Sequence, residues 1–226
     1  MAPLESQLSV IRSKVAAMGL AASEMFDQAV QSLLNSDHNL ARGVIERDSE
    51  VDGLENEIEG LCLKFLALKA PKAQELRYAV AATRLISDIE RIADHAAVLG
   101  RESLNRRLWP ILSTLPGFSD MGRLAGDMVR KAVDSFLSSD DLSYLEICRQ
   151  DKKVGERQRE LNEALAAKVA KEPEKAPDIV SLVNIVRRME RTADHAKNVA
   201  VMVPYITKGL LLRHNPEDGV DADYDD

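Results

Sequence analysis

Aromatic residues are scarce in this chain: one tryptophan, four tyrosines and four phenylalanines among 226 residues. Strands draw on aromatic and β-branched side chains, whereas Ala, Leu, Glu, Arg and Lys dominate here, so the composition points to an all-α fold. There are only two cysteines, Cys62 and Cys148. Two isolated cysteines make neither a disulfide framework nor a zinc pattern, and both sit in apolar-periodic stretches as buried free thiols. No Gly-rich phosphate loop, serine nucleophile elbow or cysteine with an evident histidine partner occurs, which removes the commonest catalytic signatures. The N-terminal stretch MAPLESQLSVIRSK has no basic region followed by an apolar core, and no apolar run reaches the roughly eighteen residues of a membrane span. A cytoplasmic protein without direct membrane insertion is expected. Excess positive charge is also missing: the formal charge is −7, so a nucleic-acid backbone is a poor partner.

What the chain does contain is a repeat. MGLAASEMFDQAVQSLLNSD, Met18 to Asp37, aligns without gaps on MGRLAGDMVRKAVDSFLSSD, Met121 to Asp140, with half of the positions identical. In that register Asp48 falls on Asp151 and Val51 on Val154. After a slightly shorter connection, ERIADHA from Glu90 to Ala96 meets ERTADHA from Glu190 to Ala196. Pro71, Pro173, Pro177 and the Ser/Asp pairs near Asp37 and Asp140 supply helix stops and starts. Helices are expected at 4–35, 38–69, 73–106, 118–138, 141–171 and 178–208. These make two tandem up-down-up three-helix bundles, as short connections between antiparallel helices require. The expected organisation is a first unit at 1–107, a linker at 108–117, a second unit at 118–212, and an acidic solvated tail at 213–226. Apolar stripes through Val44, Val51, Leu54, Ile58, Leu61 and Phe65, and through Leu85, Ile86, Ile89, Ala93 and Ala96, keep the 3.6-residue period.

The chemistry on offer is acidic. Glu90 and Asp94 stand one helical turn apart beside Ile89 and Ala93, and Glu190 and Asp194 repeat this beside Met189 and Ala193. Asp48 projects close to the Val44–Val51–Ile58 line and Asp151 close to Ile147, Val154 and Leu161. A carboxylate facing a bundle core is costly without a cation or hydrogen-bond partners. Asp52 completes a second pair with Asp48, but its counterpart is Gly155, so the two halves are expected to be unequal. Facing carboxylates on neighbouring helices suit an oxygen-rich metal site. The alternative is a solvated face on which Arg91, Arg187, Arg188 and Arg191 neutralise nearby acids. His95 and His195 fall on another flank and are expected to be polar surface residues.

The segments IERDSEVDGLENEIEG, LISDIERIADHA and RRMERTADHAKNVA, in two tandem units, resemble the PhoU family of phosphate-uptake regulators across nearly the whole chain. The resemblance implies metal binding through acidic motifs, here Glu90, Asp94, Glu190 and Asp194 with Asp48, Asp52 and Asp151 as supporting ligands. Iron, zinc, magnesium or manganese would serve as the ion. It further implies a non-enzymatic adaptor that links the ATPase subunit of a phosphate ABC transporter to a sensor histidine kinase and represses the phosphate-starvation response; apart from the resemblance, a homodimer is expected. Two other readings of the residues stand beside it: a carboxylate-bridged metal enzyme or metal store, whose usual Glu-x-x-His spacing is absent from the duplicated segments, and a purely structural helical scaffold.

Overall fold

A computed structural model describes residues 4–69 and 71–212; the acidic tail expected at 213–226 lies outside them. Among the described residues every regular element is helical: α1 (Leu4–Asn35), α2 (His38–Lys69), α3 (Ala73–Ser103), α4 (Trp109–Leu112), α5 (Phe118–Ser138), α6 (Ser143–Lys171), a 3-10 turn (Pro173–Lys175) and α7 (Ala176–Lys208). α1, α2 and α3 pack against one another as one bundle, and α5, α6 and α7 as another.

The duplication is written into the backbone at the first turn of each half. Ser36 (φ 53°) and Ser139 (φ 57°) are the two non-glycine residues with left-handed backbone among those described. Each is followed by an aspartate whose side chain closes the turn leading into the next helix. Asp37 Oδ1 accepts from the Asn39 and Leu40 amides, both at 3.0 Å. Asp140 accepts from the Leu142 amide at 3.0 Å and the Ser143 hydroxyl at 2.6 Å. The Asp37 bonds satisfy amides that the start of α2 leaves without partners, and the Asp140 bonds tie the turn before α6. The latter hold the Asp140 carboxyl below its ordinary range, chiefly through Ser143.

The two halves share one apolar core. α3 packs on α7 and α1 on α5, and a single buried cluster runs from Ile11 and Phe26 through Ile89 and Met121 to Met189 and Ile206. Of the stripe on α2, Val44, Val51, Ile58 and Phe65 are fully buried, and Leu54 and Leu61 flank them. Cys62 and Cys148 are buried and form no disulfide among the described residues, and burial pushes Cys62 up to about 11. The α1–α5 approach is close because both repeats carry glycine there: a Cβ on Gly19 would lie 3.2 Å from Val133, and one on Gly122 would lie 2.6 Å from Val30 Cγ1.

Three boundaries differ from expectation. α3 ends at Ser103 and α6 begins at Ser143, while α7 begins two residues early at Ala176 because Pro177 fits a first helical turn. The expected irregular join contains α4, where Leu108, Ile111 and Leu112 are buried and Trp109 Nε1 donates to the Leu34 carbonyl at 3.2 Å. Gly117 (φ 82°) turns the chain into α5.

Candidate functional site

Each bundle presents an acidic face where its second helix meets its third. In the first half, Asp48, Asp52 and Glu55 on α2 oppose Glu90 and Asp94 on α3. These five groups act on one another. Burial raises the Glu90 carboxyl; Arg91 opposes this, while Glu55, Asp94 and Asp52 add to it. Asp48 is raised by burial, then by Asp52 and Asp94 against Arg101, and Glu55 is raised by burial and Asp52 against Arg91. The cations are few: Arg91 Nε is 3.2 Å from Glu90 and its Nη1 3.9 Å from Asp94, and Arg101 Nη1 is 3.9 Å from Asp48. Asp48 is half-buried at the edge of the core rather than inside it, with Arg101 as its nearest cation. Its helix turns it a few tens of degrees from the Val44–Val51 line, enough to reach solvent.

The second half solves the same problem differently. Gly155 and Gln158 stand where the first half has Asp52 and Glu55, and Lys197 stands where it has Ala97. Lys197 Nζ donates to Asp151 Oδ2 at 2.6 Å and to Asp194 Oδ1 at 2.7 Å. Burial works against the lysine's charge, but the two carboxylates outweigh it and raise its pKa. Glu190 is raised by burial, Asp194 and Asp151, with Arg191 and Lys197 opposing. An ammonium therefore already occupies the space between the two carboxylates.

Among the described residues, no three Asp, Glu, His or Cys side chains are gathered closely enough to hold a metal ion as they stand. By chemistry, the all-oxygen, charge-excess first face fits a hard cation. The second does not, because binding there requires displacing Lys197 from two short charge-assisted hydrogen bonds.

A third feature lies between the halves, where α3 and α7 cross. His95 and His195 meet with ring centroids 5.5 Å apart. His95 is only 2% exposed, a correction to its expected surface position: α7 covers the flank that α3 alone would leave to water. Its Nδ1 lies 3.4 Å from Thr192 Oγ1. Burial lowers its pKa to about 4, with Arg188, His195 and Arg191 adding to the effect and Asp94 opposing it. His195 Nδ1 lies 2.8 Å from Asp88 Oδ1, which also accepts from Asn198 Nδ2 at 3.1 Å. Above the histidines opens a cleft of about 770 Å³ lined by Arg84, Arg91, Arg188, Arg191, Ser87 and Asp88 among others. Arg84, Arg187, Arg188 and Arg191 come within ion-pair distance of no carboxylate among the described residues, although Arg191 still acts through space to lower the Glu190 carboxyl.

Sequence reasoning missed Glu55, Lys197 and Asp88. Glu55 stands seven residues after Asp48 and so on the same face, and Lys197 stands one turn after Asp194. Both signals were present in the spacing. Asp88 acts across the crossing of two helices, which no single helical pattern contains.

The PhoU domain family model matches residues 15–102 and 118–203, one copy in each half. The phosphate-specific transport system accessory protein PhoU homolog of Pseudomonas putida is 28% identical over 212 residues, 92% of this chain and 82% of its own. The corresponding accessory protein of Escherichia coli strain K12 is 27% identical over 216 residues, 96% of this chain and 90% of its own. The crystal structure of PhoU from Pseudomonas aeruginosa superposes with a TM-score of 0.85 at 27% identity, covering 92% of this chain and all of that one. The phosphate transport system regulatory protein PhoU from Streptococcus pneumoniae, at 22% identity and a TM-score of 0.79, shares the fold.

Proposed function

We propose that this chain, which belongs to the PhoU family, is a negative regulator of phosphate uptake and of the phosphate-starvation response. The observation that carries this is the likeness, across both halves and over nine-tenths of the chain, to accessory proteins of phosphate-specific transport systems. The proposed action is that of a non-enzymatic adaptor on the cytoplasmic side, working as a homodimer. It would contact the ATPase subunit of the phosphate ABC transporter and a sensor histidine kinase. Among the described residues no helix is long and apolar enough to cross a membrane, so contact with the transporter would run through protein surface.

The same reading gives the acidic faces a role. Glu90 and Asp94, with Asp48, Asp52 and Glu55, would hold a hard or borderline cation such as magnesium, manganese, iron or zinc, which would cancel repulsion now shared among five carboxylates. Glu190, Asp194 and Asp151 would keep Lys197 instead. Bound there, a cation of this kind would supply positive charge that draws α2 and α3 together, and the chain's own carboxylates and Lys197 would decide which half accepts it.

Deleting the gene tests the regulatory claim. Alkaline phosphatase or another starvation product should become constitutive in high phosphate, and repression should return on complementation. Repression that persists in the deletion strain sinks the proposal.

A further inference from the structure

The cleft between α3 and α7 carries more positive charge than the protein around it explains. In a chain of formal charge −7, it collects Arg84 and Arg91 from one half and Arg188 and Arg191 from the other, against only Asp88 and Asp94. Both aspartates are engaged: Asp88 with His195 and Asn198, and Asp94 with the Arg91 guanidinium. That leaves Arg84, Arg188 and Arg191 without a carboxylate within ion-pair distance among the described residues. The excess comes from one departure from the repeat. Asp88 of α3 corresponds to Arg188 of α7, so an acid is replaced by a base where the duplication would otherwise pair His95 with a carboxylate, as His195 is paired. Arg84, Arg91, Arg188 and Arg191 line one cleft at the helix crossing, and an anion among them would offset the repulsion of like charges.

We infer that this cleft binds a phosphoryl dianion, either orthophosphate or the phosphate group of a small ester, held between guanidiniums of α3 and α7. The charge selects the ligand: Arg91 is engaged by Glu90 and Asp94 and Arg191 acts on Glu190, which leaves Arg84 and Arg188 as two uncompensated guanidiniums, matched by an anion carrying between one and two negative charges at neutral pH. Guanidinium forks suit its oxygens better than ammonium groups do, and the Ser87 hydroxyl adds a donor at the rim. A carboxylate brings half the charge and one plane of acceptors. At about 770 Å³ the cleft also admits the remainder of an ester. A ligand here touches both halves at once and would brace them. The inference is independent of the adaptor reading, which the deletion strain tests separately.

Calorimetric titration of the full chain, treated with chelator so that no metal mediates binding, would compare orthophosphate, pyrophosphate and AMP. At least one should bind saturably; orthophosphate tighter than AMP identifies free phosphate as the ligand, and the reverse order identifies an ester. The double variant Arg84→Gln/Arg191→Gln removes no ion pair, so its helical fold should persist by circular dichroism while binding weakens about tenfold or more. Arg149→Gln, on the outer helix α6, should bind as the parent does. Absence of saturable binding by all three anions overturns the inference. So does equal affinity in parent and double variant, or an equal loss in Arg149→Gln, which would mark unspecific charge attraction.

Discussion

Replacing Lys197 with methionine keeps the buried stem and removes the ammonium between Asp151 and Asp194. The lysine side chain is 26% exposed and Asp194 53% exposed, so the two hydrogen bonds do not count equally. A charged hydrogen bond with a well-covered partner contributes roughly 1.5–3 kcal/mol, and an exposed pair less than about 1 kcal/mol. Weighting the Asp151 bond by the first figure and the Asp194 bond by the second gives a loss of about 2 kcal/mol at neutral pH. In a chain of this size that lowers Tm by about 4–8 °C. The sign of the pH dependence follows from the shifts. Lys197 is raised by its carboxylate partners in spite of burial, so its contribution is complete below the ordinary lysine range and is lost as pH rises through its folded value. Glu190, already raised, rises further once Lys197 is gone, which penalises the variant increasingly as pH climbs from acid to neutral. Thermal melts by circular dichroism at acid and neutral pH, in chelator, should therefore show a gap that is small in acid and largest near neutrality. Added manganese should restore part of the lost stability in the variant. Equal Tm values at neutral pH, or a gap of the same size at both pH values, would refute the claim that Lys197 is the resident cation of the second face.

The first face should behave in the opposite way: metal analysis of the purified protein should show bound ion lost in Asp94→Ala and retained in Asp194→Ala. His95 is held neutral by burial at about 4, so stability present above the ordinary histidine range should fall as pH drops through its folded value. A shift of that size corresponds to roughly 3–4 kcal/mol as an upper bound. Acid titration of His95→Gln, followed by fluorescence or circular dichroism, should lack this component. At the α1–α5 crossing, Gly122→Val drives a side chain into Val30 and should cost about 1–3 kcal/mol in chemical denaturation. Gly43→Ala, where a new Cβ meets nothing within 4 Å, should stabilise by about 0.5–1 kcal/mol.

Much of the fold was readable because the same information was printed twice. A half-identical stretch spaced by a constant offset fixed the repeat, and proline and Ser/Asp stops delimited the long helices to within a few residues. The short helix α4 escaped because four residues around Pro110 are too few to express a period. The acidic pairs on α3 and α7 followed from i,i+4 spacing alone, and the inequality of the faces was visible at Asp52 against Gly155. Its cause was not. The decisive residue, Lys197, corresponds to Ala97, a difference that becomes meaningful only when α6 brings Asp151 within 2.6 Å. His95 was misplaced for the same reason. A helical wheel of α3 knows nothing of α7, and burial at a helix crossing belongs to two segments a hundred residues apart.

The adaptor claim is tested most directly by whether the chain holds the transport machinery in the cell. An affinity-tagged chain, isolated from cells grown in high phosphate, should retain the ATPase subunit of the phosphate transporter or the phosphate-responsive sensor kinase, identified by mass spectrometry against an untagged control. Recovery of neither, from cells in which both are expressed, would contradict the account.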